Sequence, residues 1–207
     1  MDKFVDLANA GALCGEHIPP SYSRIGHARQ SHLDATLTWW FSDVAIDPQS
    51  VAVLVNIVHF LHNSVAPVSD LTVNWERLGS ISDPHRAQCP GAARPLPFAF
   101  SWDEELPAFD IVVDFSSPQE PGSVRQAVAS VEAWFGAANL GAYGDDSSPP
   151  SINRILMSPE VSTIGEDAMV WYIDRFASTT AAIDALLNVV SKVHQTIVPV
   201  RSLELSE

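Results

Sequence analysis

The sequence predicts an α+β fold: three strand-helix pseudo-repeats assembled as ferredoxin-like split β-α-β units, with helices on one face of a mainly antiparallel or mixed sheet. Two observations carry this expectation. An apolar, aromatic-rich run that alternates as a strand is followed three times by an amphipathic stretch of helical length. Two of those helices then lead directly into a further strand-like segment, the pattern of a right-handed crossover.

The first copy is 35–42, Ala-Thr-Leu-Thr-Trp-Trp-Phe-Ser, followed by a helix over 47–65. Leu37, Trp39 and Phe41 share one face of that strand and belong in the core. Asp47-Pro48 supplies an acidic N-cap with proline at the first helical position, where no amide hydrogen is needed. This helix leads into a strand over 70–75, where Leu71, Val73 and Trp75 alternate with polar residues. The second copy is a strand over 109–116 and a helix over 121–135 striped by Val124, Val128, Val131 and Phe135. The third is a strand over 168–176, a helix over 178–196 capped by Ser178, and a closing strand over 199–205. Gly165-Glu166-Asp167, flanked by strand-like runs, reads as a hairpin turn.

Two stretches interrupt the pattern. Residues 80–107 are a proline-rich insertion with one short regular piece at 98–102, and 136–151 form an acidic Gly/Pro loop. Apolar residues embedded in the insertion must pack, so neither stretch reads as a linker and the chain is expected to be a single α+β domain over 1–207.

Charge narrows the function classes. With 25 acids against 11 bases, a formal −14, the long-range field repels nucleic acid and anionic lipid, so no nucleic-acid or membrane partner is expected. No run of eighteen apolar residues and no basic-then-apolar leader are present, and two cysteines are too few for a disulfide framework. A cytoplasmic protein follows, and nine arginines against two lysines suggest a GC-rich bacterial genome. Phosphate loops, nucleophile elbows, Cys-x-x-Cys pairs and nucleotide fingerprints are all missing.

The remaining candidates are constellations rather than motifs. Cys14, His17, His85 and Cys89 have the chemistry of a tetrahedral zinc site, but their mixed order matches no zinc module, so no metal or cofactor is expected. His59 and His62 share a helix face without the glutamate of a metallohydrolase and read as structural. From 48 to 65 the first helix carries no charge, and Gln49, Asn56, His59 and Asn63 form one polar stripe. Such a face is expected to be covered, by the insertion or by a second copy in a homodimer. Asp110 and Asp114 share one strand face but stand about 13 Å apart, too far to share a proton or a metal.

The acids Asp103, Glu104, Glu105, Asp110, Asp114 and Glu120 lie in a stretch without Lys or Arg between Arg94 and Arg125. Beside Trp102 they offer a basic protein partner both charge and an aromatic anchor. Arg24, His27, Arg29 and His32 form a local basic run suited to holding an anion or docking on those acids. The expected function is therefore a non-catalytic bacterial interaction protein of immunity or inhibitor type, binding through an acidic surface. The alternative is a small-molecule enzyme or ligand-binding protein, with a pocket lined by Trp40 and Trp102 between the sheet and the insertion.

Overall fold

A computed structural model describes residues 1–14, 18–33, 36–47, 50–65, 67–70, 72, 95–102, 108–143, 156–157, 163–175 and 180–206. Within them the chain is α+β, with helices α1 (Asp2–Asn9), α2 (Val51–Ser64), α3 (Pro121–Ala138) and α4 (Thr180–Thr196). Eight strands form two sheets: β1 (Arg24–Leu33), β2 (Thr36–Ala45), β3 (Ala99–Trp102), β4 (Phe109–Phe115), β5 (Leu156–Met157), β6 (Thr163–Ile164), β7 (Ala168–Arg175) and β8 (Val200–Ser206).

The larger sheet has six strands in the order β3-β8-β4-β7-β5, with β6 also paired to β7. Its strands are antiparallel except for β3, which runs parallel to β8. β4 alternates strictly, Phe109, Ile111, Val113 and Phe115 being buried while Asp110, Val112 and Asp114 face the other way. The buried face packs against α3 and α4. Trp134 of α3 donates its indole N–H to the Ala182 carbonyl of α4 at 2.7 Å, and Phe135 of α3 meets Trp171 of β7 at 6.2 Å between ring centroids. The expected turn at 165–167 is present: Gly165 N–H donates to Ala168 O at 2.9 Å, closing the β6–β7 hairpin.

The closing strand shows why simple alternation misassigns a residue. Two-residue periodicity puts Val200 on the same face as Ser202 and Glu204. In the structure Phe115 pairs with Val200 while Asp114 pairs with Ser202, so Arg201 is the extra residue of a bulge. The bulge returns Val200 to the buried face with Leu203 and Leu205.

α1 and α3 end alike, each in a turn through a glycine with left-handed backbone. At Gly11 φ is +94°, and Gly11 and Ala12 N–H donate back to Ala8 and Leu7 O; at Gly141 φ is +74°, and Gly141 and Ala142 N–H donate to Ala138 and Ala137 O. These paired bonds satisfy carbonyls the helix end would otherwise orphan. The expected loop over 136–151 accordingly starts later than its Gly136 suggests: α3 runs on to Ala138, and residues 144–150 lie outside the described set.

The largest departure is the first copy. Among the described residues β2 pairs with β1 alone, a strand the sequence does not announce, in a separate two-stranded ribbon. Leu37, expected in the core, is 40% exposed, and Trp39 and Phe41 are half-buried: Phe41 leans on Phe4 of α1, and among the described residues no helix is laid along the whole ribbon. α2 begins at Val51 rather than 47: Ser50 precedes it and its N–H donates to Asp47 O. The strand expected over 70–75 falls largely outside the described residues, as does most of 80–107, although 98–102 is regular as β3. No helix among the described residues is long and apolar enough to cross a membrane.

Candidate interaction surfaces

The face of the six-stranded sheet opposite α3 and α4 is the best-defined surface in the molecule. Cross-strand partners share a face, so the register builds it row by row. Asp110 lies between Tyr172 and Ser206, Val112 between Val170 and Glu204, and Asp114 between Ala168 and Ser202. Asp114 is engaged: its Oδ2 accepts the Ser202 hydroxyl at 3.0 Å and forms an ion pair with the Arg201 guanidinium at 3.2 Å. The bulge takes Arg201 out of the ladder and lets it reach this carboxylate. Asp110 and Glu204 have no ion pair among the described residues, and they lie beside the exposed ring of Tyr172.

Of the sequence-predicted acidic set, Asp110 and Asp114 come to this face as their spacing implied. Trp102 does not. In the parallel pairing of β3 with β8 it lies level with Leu205, and Phe100 with Leu203, so both aromatics point to the packed side and lean on the core. Strand parity, which the sequence of a short edge strand cannot set, decides this. Glu120 is exposed at the start of α3, and Asp103, Glu104 and Glu105 lie outside the described residues. Tyr172 and Glu204 were not anticipated as surface groups. The signal was available: if Met169, Trp171 and Ile173 are the core set of β7, Tyr172 must point outward.

The uncharged helix is covered in part by its own chain. Asn56 is half-buried and its Nδ2 donates to Ala142 O at 3.0 Å, in the turn after α3, so its amide needs no second copy. His59 is exposed. Gln49 and the side chain of Asn63 lie outside the described residues. His62 closes the helix, its Nδ1 accepting the Val68 N–H at 2.9 Å. His194 does the same at the end of α4, accepting Val200 N–H at 3.1 Å.

Of the Cys14, His17, His85 and Cys89 set, Cys14 is buried, and His17, His85 and Cys89 lie outside the described residues. Among the described residues no group of His, Cys, Asp and Glu side chains could hold a metal ion.

The basic run is the β1 strand. Arg24 forms a two-point ion pair with Asp43 across the ribbon, Nη2 to Oδ1 at 2.8 Å and Nε to Oδ2 at 3.1 Å, rather than meeting the distant acids. The bidentate bond raises the Arg24 pKa and lowers that of Asp43 below 3.8. Arg29 has no ion pair among the described residues. With His27, Ala28, Trp40, Phe41 and Ser42 it lines an open hollow of about 670 Å³ along the ribbon. The side chain of His32 is outside the described set.

One further cation is structural. Lys192 of α4 donates to Asn9 O at 2.7 Å and Ser23 O at 3.0 Å, tying the last helix to the first turn. Burial, then the neighbouring Arg24 charge, lowers its pKa from 10.5. No protein-family model matches the chain, and no curated protein or solved structure shows significant similarity to it.

Proposed function

We propose that this is a non-catalytic interaction protein of immunity or inhibitor type, whose sheet face opposite α3 and α4 binds a basic protein partner. The observation that carries the reading is the pair Asp110 and Glu204, set on the adjacent central strands β4 and β8 without a compensating ion pair among the described residues, next to exposed Tyr172. Uncompensated charge steers association, and a neighbouring ring supplies the contact area that charge alone lacks. The strand order β8-β4-β7-β5, with α3 and α4 as the connections, supports a ferredoxin-like reading of residues 109–206, in which one sheet face is left for partners.

Affinity capture from source cells, followed by titration of the purified captured protein, tests this. A basic partner is expected, with an affinity at low salt about tenfold or more weaker for Asp110→Lys/Glu204→Lys. Equal affinity of that variant and the wild type would overturn the reading. The ligand-binding alternative is favoured by a different observation, the hollow beside Trp40 and Arg29, and no longer involves Trp102. Calorimetry with small anions, comparing wild type and Arg29→Gln, separates it from the first.

A further inference from the structure

We propose that the chain is an internal duplication, and that the equivalent positions Trp40 and Tyr172 mark the aromatic anchor, which in the second half serves the acidic face.

The sequence evidence is a constant spacing. His62 to Val68 reads His-Asn-Ser-Val-Ala-Pro-Val, and His194 to Val200, each position 132 residues later, reads His-Gln-Thr-Ile-Val-Pro-Val. The same spacing, with no insertion, aligns Trp39 with Trp171, Leu54 with Leu186 and Asn56 with Asn188. It superposes β2 on β7 and α2 on α4. The structure uses the two histidines identically: each closes its helix by accepting the N–H of the matched valine.

A second pair of segments matches independently. Leu-Ala-Asn-Ala-Gly-Ala-Leu at 7–13 answers to Ala-Ala-Asn-Leu-Gly-Ala-Tyr at 137–143, a spacing of 130, and these are the two left-handed glycine turns with the same paired hydrogen bonds. The turns also sit in reciprocal places. A Cβ on Gly11 would lie 2.8 Å from Lys192 of α4, and one on Gly141 would lie 3.1 Å from Phe60 of α2. Phe60 and Lys192 are themselves 132 apart. Each half therefore seats its turn on the other half's helix at the same helical position, as two copies related by a pseudo-twofold axis would.

Equivalence gives the exposed rings a meaning. In both halves the strand turns one aromatic outward at the same position, Trp40 being 54% and Tyr172 40% exposed. In the second half that ring lies across from Asp110, so ring and charge adjoin as in a binding hot spot. This assignment of Tyr172 rests on the acidic-face reading above, and charge complementarity commits it to a cationic, ring-bearing partner segment.

Two experiments test the proposal. Replacing 62–68 by the sequence of 194–200, through Asn63→Gln, Ser64→Thr, Val65→Ile and Ala66→Val, is expected to leave circular dichroism and cooperative unfolding intact, and His62→Ala and His194→Ala are expected to lower the melting temperature by similar amounts. A graft that does not fold, or histidine losses that differ severalfold, overturns the duplication. For the anchor, the probe is a short peptide of alternating Arg and Trp, titrated by NMR. Tyr172→Ala is expected to weaken it about fivefold or more. If Asp110→Lys/Glu204→Lys abolishes binding while Tyr172→Ala does not alter it, the anchor is wrong and the acidic face survives; if the charge reversal has no effect, the acidic-face reading fails and this use of Tyr172 fails with it.

Discussion

In β7, Met169, Trp171 and Ile173 are at most 1% exposed, whereas in β2 Leu37 is 40% exposed and Trp39 and Phe41 are half-buried. The two strands present the same alternation of large apolar residues. The difference lies in what is laid over them: α3 and α4 cover the inner face of the six-stranded sheet, while among the described residues the β1–β2 ribbon meets α1, whose Phe4 lies 6.1 Å from Phe41 between ring centroids. Alternation thus reports which residues share a face, and a covering helix decides whether that face becomes core. A two-stranded ribbon holds its shape through cross-strand pairs such as Trp39 to Gln30, whose side chains hydrogen-bond at 3.2 Å, and gains little from burial.

The contrast can be broken most forcefully at its two tryptophans. Trp171→Ala empties a site packed against Phe135 and is expected to cost about 3–5 kcal/mol in denaturant unfolding, whereas Trp39→Ala on the ribbon should cost about 1 kcal/mol or less. Equal losses would show the ribbon to be as well packed as the sheet.

A smaller effect is expected at Lys192, which joins the two regions through Asn9 and Ser23. Lys192→Met should cost about 1–3 kcal/mol by leaving two carbonyls without their donor. Because the folded pKa lies below 10.5, the unfolded chain binds this proton more tightly. Stability should therefore rise as pH approaches 10.5 from below, and the variant should lose that rise. Urea midpoints of both proteins across that window provide the check.

The smallest effect belongs to the exposed pair Arg24 and Asp43. The folded carboxyl titrates below 3.8, so its contribution is present above that value and disappears as pH falls through the lower folded pKa. Asp43→Asn, which tolerates the left-handed φ of +53°, should match the wild type at low pH or high salt and fall slightly below it otherwise. A difference that persists in molar salt would mean that Asp43 acts through its backbone geometry instead.

What the sequence made legible follows the same logic. α3, α4 and β4 could be read because each has one buried and one solvated side, which imprints a period on the residues. β1 could not: neither of its faces is fully buried along most of its length, and Gly26, His27, Arg29 and Gln30 carry no alternation to detect. α1 is only eight residues long, too short for its stripe to stand out. Asp110 and Asp114 were placed on a common face from spacing alone. Trp102 was not, because its orientation depends on a tertiary pairing with Leu205.

The seat of the first turn has a consequence for how the chain is made. Lys192 reaches Asn9 across 183 residues of sequence, and Gly11 rests on the same side chain. On a ribosome, which extends the chain toward its C-terminus, this turn emerges well before α4 and finds its seat only when α4 has been synthesised. Contacts of such separation are slow to close, so the N-terminal turn should be among the last parts of a newborn molecule to resist protease.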